Sequence, residues 1–143
     1  MTTTSNAVAP TRIPPIATTD SKFFWDAADR EEFVGQQCGD CAQFSFPPRP
    51  MCPHCHSLNR KEVQLSGRGT LHAWVIPRHP APYGFAEAPI VAVIALEEGI
   101  RFVSNVVGVA IADLKPDMPV EVCFEATMKD HKVPVFRPAG ARA

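Results

Sequence analysis

Apolar residues along this chain change their spacing twice, and each change marks a predicted element. Behind Ser21, a residue type suited to capping a helix N-terminus, Phe23, Phe24, Ala27, Ala28 and Phe33 recur near helical spacing until Gly35. The pattern predicts one helix of about four turns over residues 21–36. Residues 37–62 lose this period, and Pro47, Pro48, Pro50 and Pro53 forbid helix through most of the stretch, so a compact irregular module is expected. After Gly67 the apolar runs 70–76, 90–96, 100–107, 120–125 and 133–136 read as strands. Five strands in about 70 residues predict a small barrel over 63–143.

The segments between the runs agree with that reading. Glu97-Glu98-Gly99 joins two adjacent apolar runs as a hairpin, with Gly99 free to take positive φ. Residues 77–89 carry four prolines and form a long loop between the first two barrel strands, while 113–119 and 126–132 are shorter polar connections. Residues 1–20 hold six Thr, three Pro and only Arg12 and Asp20 as charges, which reads as a flexible tail. No internal repeat is present.

Composition narrows the function classes. With 143 residues, 45% apolar, 20% charged and a formal net charge of −1, neither a wholly disordered chain nor a strongly basic nucleic-acid binder fits. No apolar run reaches the roughly 18 residues of a membrane span, and the first residues lack the regions of a signal peptide, so a cytoplasmic protein is expected.

Four of the five cysteines carry the chemistry. Cys38-Gly39-Asp40-Cys41 and Cys52-Pro53-His54-Cys55 form C-x2-C-x10-C-x2-C, two tight turns that can each aim a pair of sulfurs at one ion and together complete a tetrahedron. The same thiolate set takes zinc or iron, and spacing does not separate them. A redox CxxC should follow a strand and open a helix, which the surrounding prolines oppose. A closed four-cysteine site leaves no position for water or substrate, so the metal is expected to be structural. His54 and His56 flank Cys55 and could substitute as ligands, although four cysteines already satisfy the ion. Cys123, inside an apolar strand, reads as a core residue.

These motifs carry a resemblance over nearly everything after Ser21. Phe24-Trp25-Asp26, Gln37-Cys38-Gly39-Asp40-Cys41, Phe46-Pro47-Pro48-Arg49-Pro50, Cys52-Pro53-His54-Cys55, Gly67-Arg68-Gly69-Thr70 and Phe136-Arg137-Pro138 together resemble the zinc-ribbon plus OB-fold family of acyl-CoA-associated accessory proteins, the DUF35 type. The resemblance implies a mainly β chain after the tail at 1–20, which has no counterpart in it: an N-terminal helix over 21–36, a rubredoxin-like zinc ribbon over 37–62 and a five-stranded OB barrel over 63–143. It implies structural zinc on Cys38, Cys41, Cys52 and Cys55. It also implies a non-catalytic subunit that joins a thiolase-like, aldolase or hydratase partner in a heteromer and helps accommodate the CoA thioester. The chain departs from the family's glycine after the fourth cysteine, where it has His56, and this puts the geometry of that turn in question.

Two other function classes compete. A single-stranded nucleic-acid module would need a basic, aromatic groove. Residues 63–143 hold eight Lys or Arg against eight Asp or Glu, and the second and third barrel strands offer only Arg101 and Phe102. An autonomous enzyme would need a held nucleophile or acid–base pair, yet Asp130-His131-Lys132, His72 and His79 sit in no catalytic motif and read as solvated loop or surface positions. For the accessory role, Phe24 and Trp25 are the candidate partner contacts, with Phe33 assigned to the core. The prolyl-stiffened loop displays Arg78, Tyr83 and Phe85 toward a partner or the CoA nucleotide.

Overall fold

The computed structural model describes residues 10–141. One helix, α1 (Lys22–Asp29), leads into a ribbon of β1 (Val34–Cys38), β2 (Phe44–Ser45) and β3 (Arg60–Gln64), and then into a barrel. The barrel strands are β4 (Arg68–Val75), β5 (Ile90–Leu96), β6 (Arg101–Val106), β7 (Pro119–Ala126) and β8 (Lys132–Pro138). The ribbon sheet runs β2-β1-β3 and the barrel closes in the order β4-β5-β6-β8-β7, so the predicted mainly β architecture and five-stranded barrel are present.

Closure depends on the one parallel contact. The β4–β5, β5–β6, β4–β7 and β7–β8 pairs are antiparallel, and β6 meets β8 in parallel at Val106 and Phe136, where the Val107 amide donates to the Phe136 carbonyl at 2.8 Å. β5 shows why these residues choose strand: its β-branched and small side chains alternate buried and half-buried along the whole of Ile90–Leu96. Inside the barrel Leu71, Ile94 and Phe136 are fully buried.

Four sequence expectations change. The helix spans eight residues, about two turns, because Arg30 leaves helical geometry and Glu31 takes φ +61°, a left-handed conformation that stops the helix with no glycine to announce it. Phe33 therefore lies outside the helix, and the chain from Val34 is already β1. Ser21 makes no side-chain cap to α1; its hydroxyl instead pairs with Thr18. The 37–62 stretch is not wholly irregular, since β1 and β3 pair over Val34–Gln64 to Cys38–Arg60. The tail also differs: Arg12 is bonded to Asn105 and Glu125 of the barrel and Asp20 to Arg60 of the ribbon, whereas residues 1–9 of the 1–20 expectation lie outside the described residues.

One aromatic cluster joins all three parts. Phe24 of α1 stands 5.6 Å from Phe46, which follows β2, and 6.0 Å from Phe102 of β6. Phe46 stands 4.4 Å from Phe102, and Phe33 contacts Phe102 at 5.3 Å and Phe136 at 5.9 Å, several of these pairs meeting edge to face. Helix, ribbon and barrel therefore share a core, and the barrel's apolar interior is continuous with the face that the ribbon presents to it.

Candidate metal centre and apolar trench

The two cysteine turns fold alike. In each, the residue after the second cysteine turns left-handed, Ala42 at φ +60° and His56 at φ +62°. In each, that residue's amide donates back to the first cysteine's carbonyl, Ala42 to Cys38 at 3.1 Å and His56 to Cys52 at 3.0 Å. His56 thus keeps the turn that glycine would make, at a left-handed cost of about 1 kcal/mol. His54 and His56 are both exposed, and neither belongs to the ligand cluster.

The four sulfurs lie within 4.8 Å of one another. Cys38 and Cys55 sulfurs are 3.5 Å apart and Cys41 and Cys52 sulfurs 3.6 Å apart. A tetrahedral zinc with sulfurs at about 2.3 Å has edges of roughly 3.8 Å, so the donor set fits that ion in chemistry and size. Backbone N–H groups already aim at the sulfurs: those of Asp40 and Cys41 approach Cys38 Sγ at 3.4 and 3.5 Å, and that of His54 approaches Cys52 Sγ at 3.4 Å.

Electrostatics within the set are divided. The Cys41 and Asp40 amides bring the Cys38 thiol down to about 6. Cys52 is lowered as well, chiefly by the Cys55 amide. For Cys41 the Gln43 amide pulls downward, but burial and the surrounding sulfurs of Cys55, Cys52 and Cys38 push it up to about 12. Cys55 is raised too: the Ser57 amide lowers it, and Cys38 and burial outweigh that. Adjacent sulfurs resist ionising together, and a dication at their centre reverses that order. Binding at pH 7 accordingly expels protons from the cluster.

Asp40 does work that the sequence reading missed. Lying between the first two cysteines, it accepts hydrogen bonds from the Ser57 hydroxyl and, at 3.1 Å, from the Asn59 amide, both just beyond the second cysteine turn. Those bonds, Ser57's first, keep its carboxyl below the usual value. Gly39 lets the strands come this close, since a Cβ there would sit 2.4 Å from the Asn59 side chain. The only earlier clue was the polarity of Asp40 itself, and its partners lie 17 and 19 residues away.

On the other side of the aromatic cluster runs an apolar trench of about 480 Å³. Its floor is Phe102 and Val133 to Val135, and its walls include Trp25, Phe46, Tyr83 and Phe85. Phe24 and Trp25 separate here. Phe24 is 3% exposed and belongs to the core, whereas Trp25 is half-buried and packs edge-on to Phe24 at 4.8 Å. Tyr83 is 79% exposed, and with Ile13, Ile16 and Val103 it gives the trench an exposed apolar rim, the surface type that marks interaction sites. Arg78 is exposed on the same loop but is not among the trench residues.

The remaining candidates fall elsewhere. Phe102 is 4% exposed, so it offers no stacking face to a nucleic-acid base. Cys123 is half-buried in β7, and burial pushes its thiol up, away from nucleophilic character. Asp130 is exposed, as a solvated loop requires, but His131 and Lys132 are held: the Asp29 carboxylate takes the Lys132 amide at 2.9 Å and pairs with His131 Nδ1 at 2.9 Å, and Lys132 Nζ reaches Glu31. His72 is exposed within the irregularity of β4 between Leu71 and Ala73, and His79 is exposed in the long loop. No helix among the described residues is long and apolar enough to cross a membrane.

The family described as ChsH2, rubredoxin-like zinc ribbon domain matches residues 25–59, and that described as ChsH2, C-terminal OB-fold domain matches residues 62–125. A probable enoyl-CoA hydratase alpha subunit of Thermomonospora curvata is 34% identical over 125 residues, covering 87% of this chain but 39% of that protein, so the chain spans well under half the length of that relative. A DUF35 domain-containing scaffold protein of Methanocaldococcus jannaschii is 33% identical over 105 residues, 71% of this chain and 74% of its own. Among solved structures, a chain of the Ltp2-ChsH2(DUF35) aldolase superposes with a TM-score of 0.78 at 35% identity, covering 87% of this chain and 98% of that one. A rubredoxin-like ribbon with four clustered cysteines, joined to a closed five-stranded barrel, places this chain in the DUF35 family with the ChsH2 type of zinc ribbon and OB fold.

Proposed function

We propose that this chain is a non-catalytic accessory subunit of an acyl-CoA-processing enzyme. The observation that carries the reading is the likeness to the ChsH2 chain of an aldolase complex, at 35% identity over nearly all of that chain. The hydratase subunit name of the Thermomonospora relative and the scaffold name of the Methanocaldococcus relative point the same way. In this reading a ribbon over 37–62 and a barrel over 63–143 share the work. Cys38, Cys41, Cys52 and Cys55 hold zinc, which fixes the ribbon and takes no part in turnover. Trp25 on the trench wall contacts the partner, with Phe24 behind it as support. Tyr83 and Phe85, with Arg78 farther along the loop, lie where a partner surface and a CoA thioester would meet. The partner is of hydratase or aldolase type, with a thiolase-like enzyme as the remaining candidate, and the complex works in the cytoplasm.

The test is reconstitution. The chain would be co-expressed with a hydratase, an aldolase or a thiolase-like enzyme encoded beside it, and acyl-CoA turnover measured for each protein alone and together. Activity should require both chains and should copurify with a complex of fixed stoichiometry. Turnover by this chain alone, or full activity of the enzyme without it, would overturn the reading.

A further inference from the structure

The loop at 77–89 builds a wall of the trench with Tyr83 and Phe85, yet it is not tied to the barrel whose strands it connects. Among the described residues its one hydrogen bond to another segment is from the Thr11 hydroxyl to the Gly84 carbonyl, at 3.0 Å. Its aromatic anchor is held from the same side, because the Arg12 guanidinium stands 4.9 Å over the Phe85 ring. At Gly84 the two backbones nearly touch, since a Cβ there would lie 3.0 Å from the Thr11 carbonyl oxygen.

The N-terminal segment is in turn tied to the barrel, and chiefly by one side chain. Arg12 donates to Asn105 Oδ1 of β6 at 2.7 Å and to Glu125 Oε2 of β7 at 2.6 Å, and its carbonyl accepts from the Met128 amide at 3.0 Å. Its side chain is 16% exposed, so the pair with Glu125 is screened less than a surface ion pair. The planar guanidinium uses separate nitrogens for the two strands and its face for Phe85, three demands that an ammonium meets only in part.

We propose that Arg12 is a positioning residue: it pins the 77–89 loop to β6 and β7 through the N-terminal segment, and so sets the place of the Tyr83 and Phe85 wall. The loop's order is then a property of the Thr11–Arg12 segment and not of the two strands it connects. Its four prolines stiffen it without fixing where it lies.

The experiment uses the full zinc-loaded chain without any partner, so its outcome is separate from the accessory-subunit reading. Chymotrypsin, which cuts after aromatic residues, reports access to Tyr83 and Phe85 under native conditions. Arg12→Ala should raise cleavage in the loop at least tenfold, with zinc content and strand circular dichroism unchanged. Arg12→Lys should recover part of the protection, and Phe85→Leu should show release at Tyr83 of about threefold. Arg78→Ala, in the same loop but outside these contacts, should cleave at the wild-type rate. Wild-type cleavage of Arg12→Ala would overturn the proposal. So would faster cleavage that Arg12→Lys leaves unrelieved, or that a Val120→Ala core variant of equal melting temperature reproduces, since global loosening would then be the cause.

Discussion

The ribbon and the barrel solve the same problem, holding short strands in place, with different means. In the barrel β5, β6 and β8 each bury two or more apolar residues, β4 and β7 one each, Leu71 and Val120, and closure leaves no free edge. In the ribbon β3 reads Arg-Lys-Glu-Val-Gln with no fully buried residue, and β2 has two residues. Strands so polar and short have little to bury, and four sulfurs around one ion replace the missing core. The difference teaches that apolar pattern predicts a region only where apolar burial holds it. The two regions are nevertheless coupled, because Phe46 carries the ribbon's end into the aromatic cluster of the barrel.

The largest break in this contrast should come from the metal. Cys41→Ser removes one corner of the tetrahedron, and structural zinc sites contribute roughly 10 kcal/mol or more of apparent folding energy. Elemental analysis should fall from about one zinc per chain, and hydrogen exchange should show residues 34–64 unprotected while the barrel strands persist with a lower melting point. Retention of one zinc per chain would defeat the four-cysteine assignment.

A smaller effect should come from cutting the coupling itself. Phe46→Ala leaves the sulfurs untouched but withdraws a ring packed 4.4 Å from Phe102, at a cost of about 2 kcal/mol for a half-buried aromatic. Denaturant unfolding should show that loss with zinc still bound. A change under about 0.5 kcal/mol would mean that ribbon and barrel stand independently.

The smallest effect on the free chain should come from Trp25→Ala, which sharpens the comparison by testing the surface beside the cluster. Zinc content and strand signature should stay as they are, while affinity for the partner falls by about 2 kcal/mol, close to thirtyfold. Unchanged affinity would move the contact to the loop that carries Tyr83.

Legibility in the sequence followed the same divide. All five barrel strands, the hairpin at Gly99 and the ligand spacing were readable, because each is written in local periodicity or local turn chemistry. The helix end was not, since Glu31 takes a left-handed conformation that its residue type does not signal. The ribbon strands were hidden by their polarity. Phe24 looked like a surface aromatic because a single sequence does not show which neighbours arrive to cover it; Phe46 and Phe102 do. The docking of Arg12 was out of reach for the same reason, as its partners lie 93 and 113 residues away.

Barrel closure also sets a timetable for synthesis. The ribbon's pairings are complete in sequence once Gln64 is made, but β6 and β7 both wait for β8, which ends at Pro138. At about 5–20 residues per second the ribosome takes roughly 4–15 s to cover that distance. Throughout that interval Phe24 and Phe33 are already made, while Phe136, the last ring of their cluster, is still missing. The nascent chain therefore carries an aromatic cluster short of its last ring beside a ribbon whose strands are already paired in sequence, and the fold is whole only when the final strand arrives.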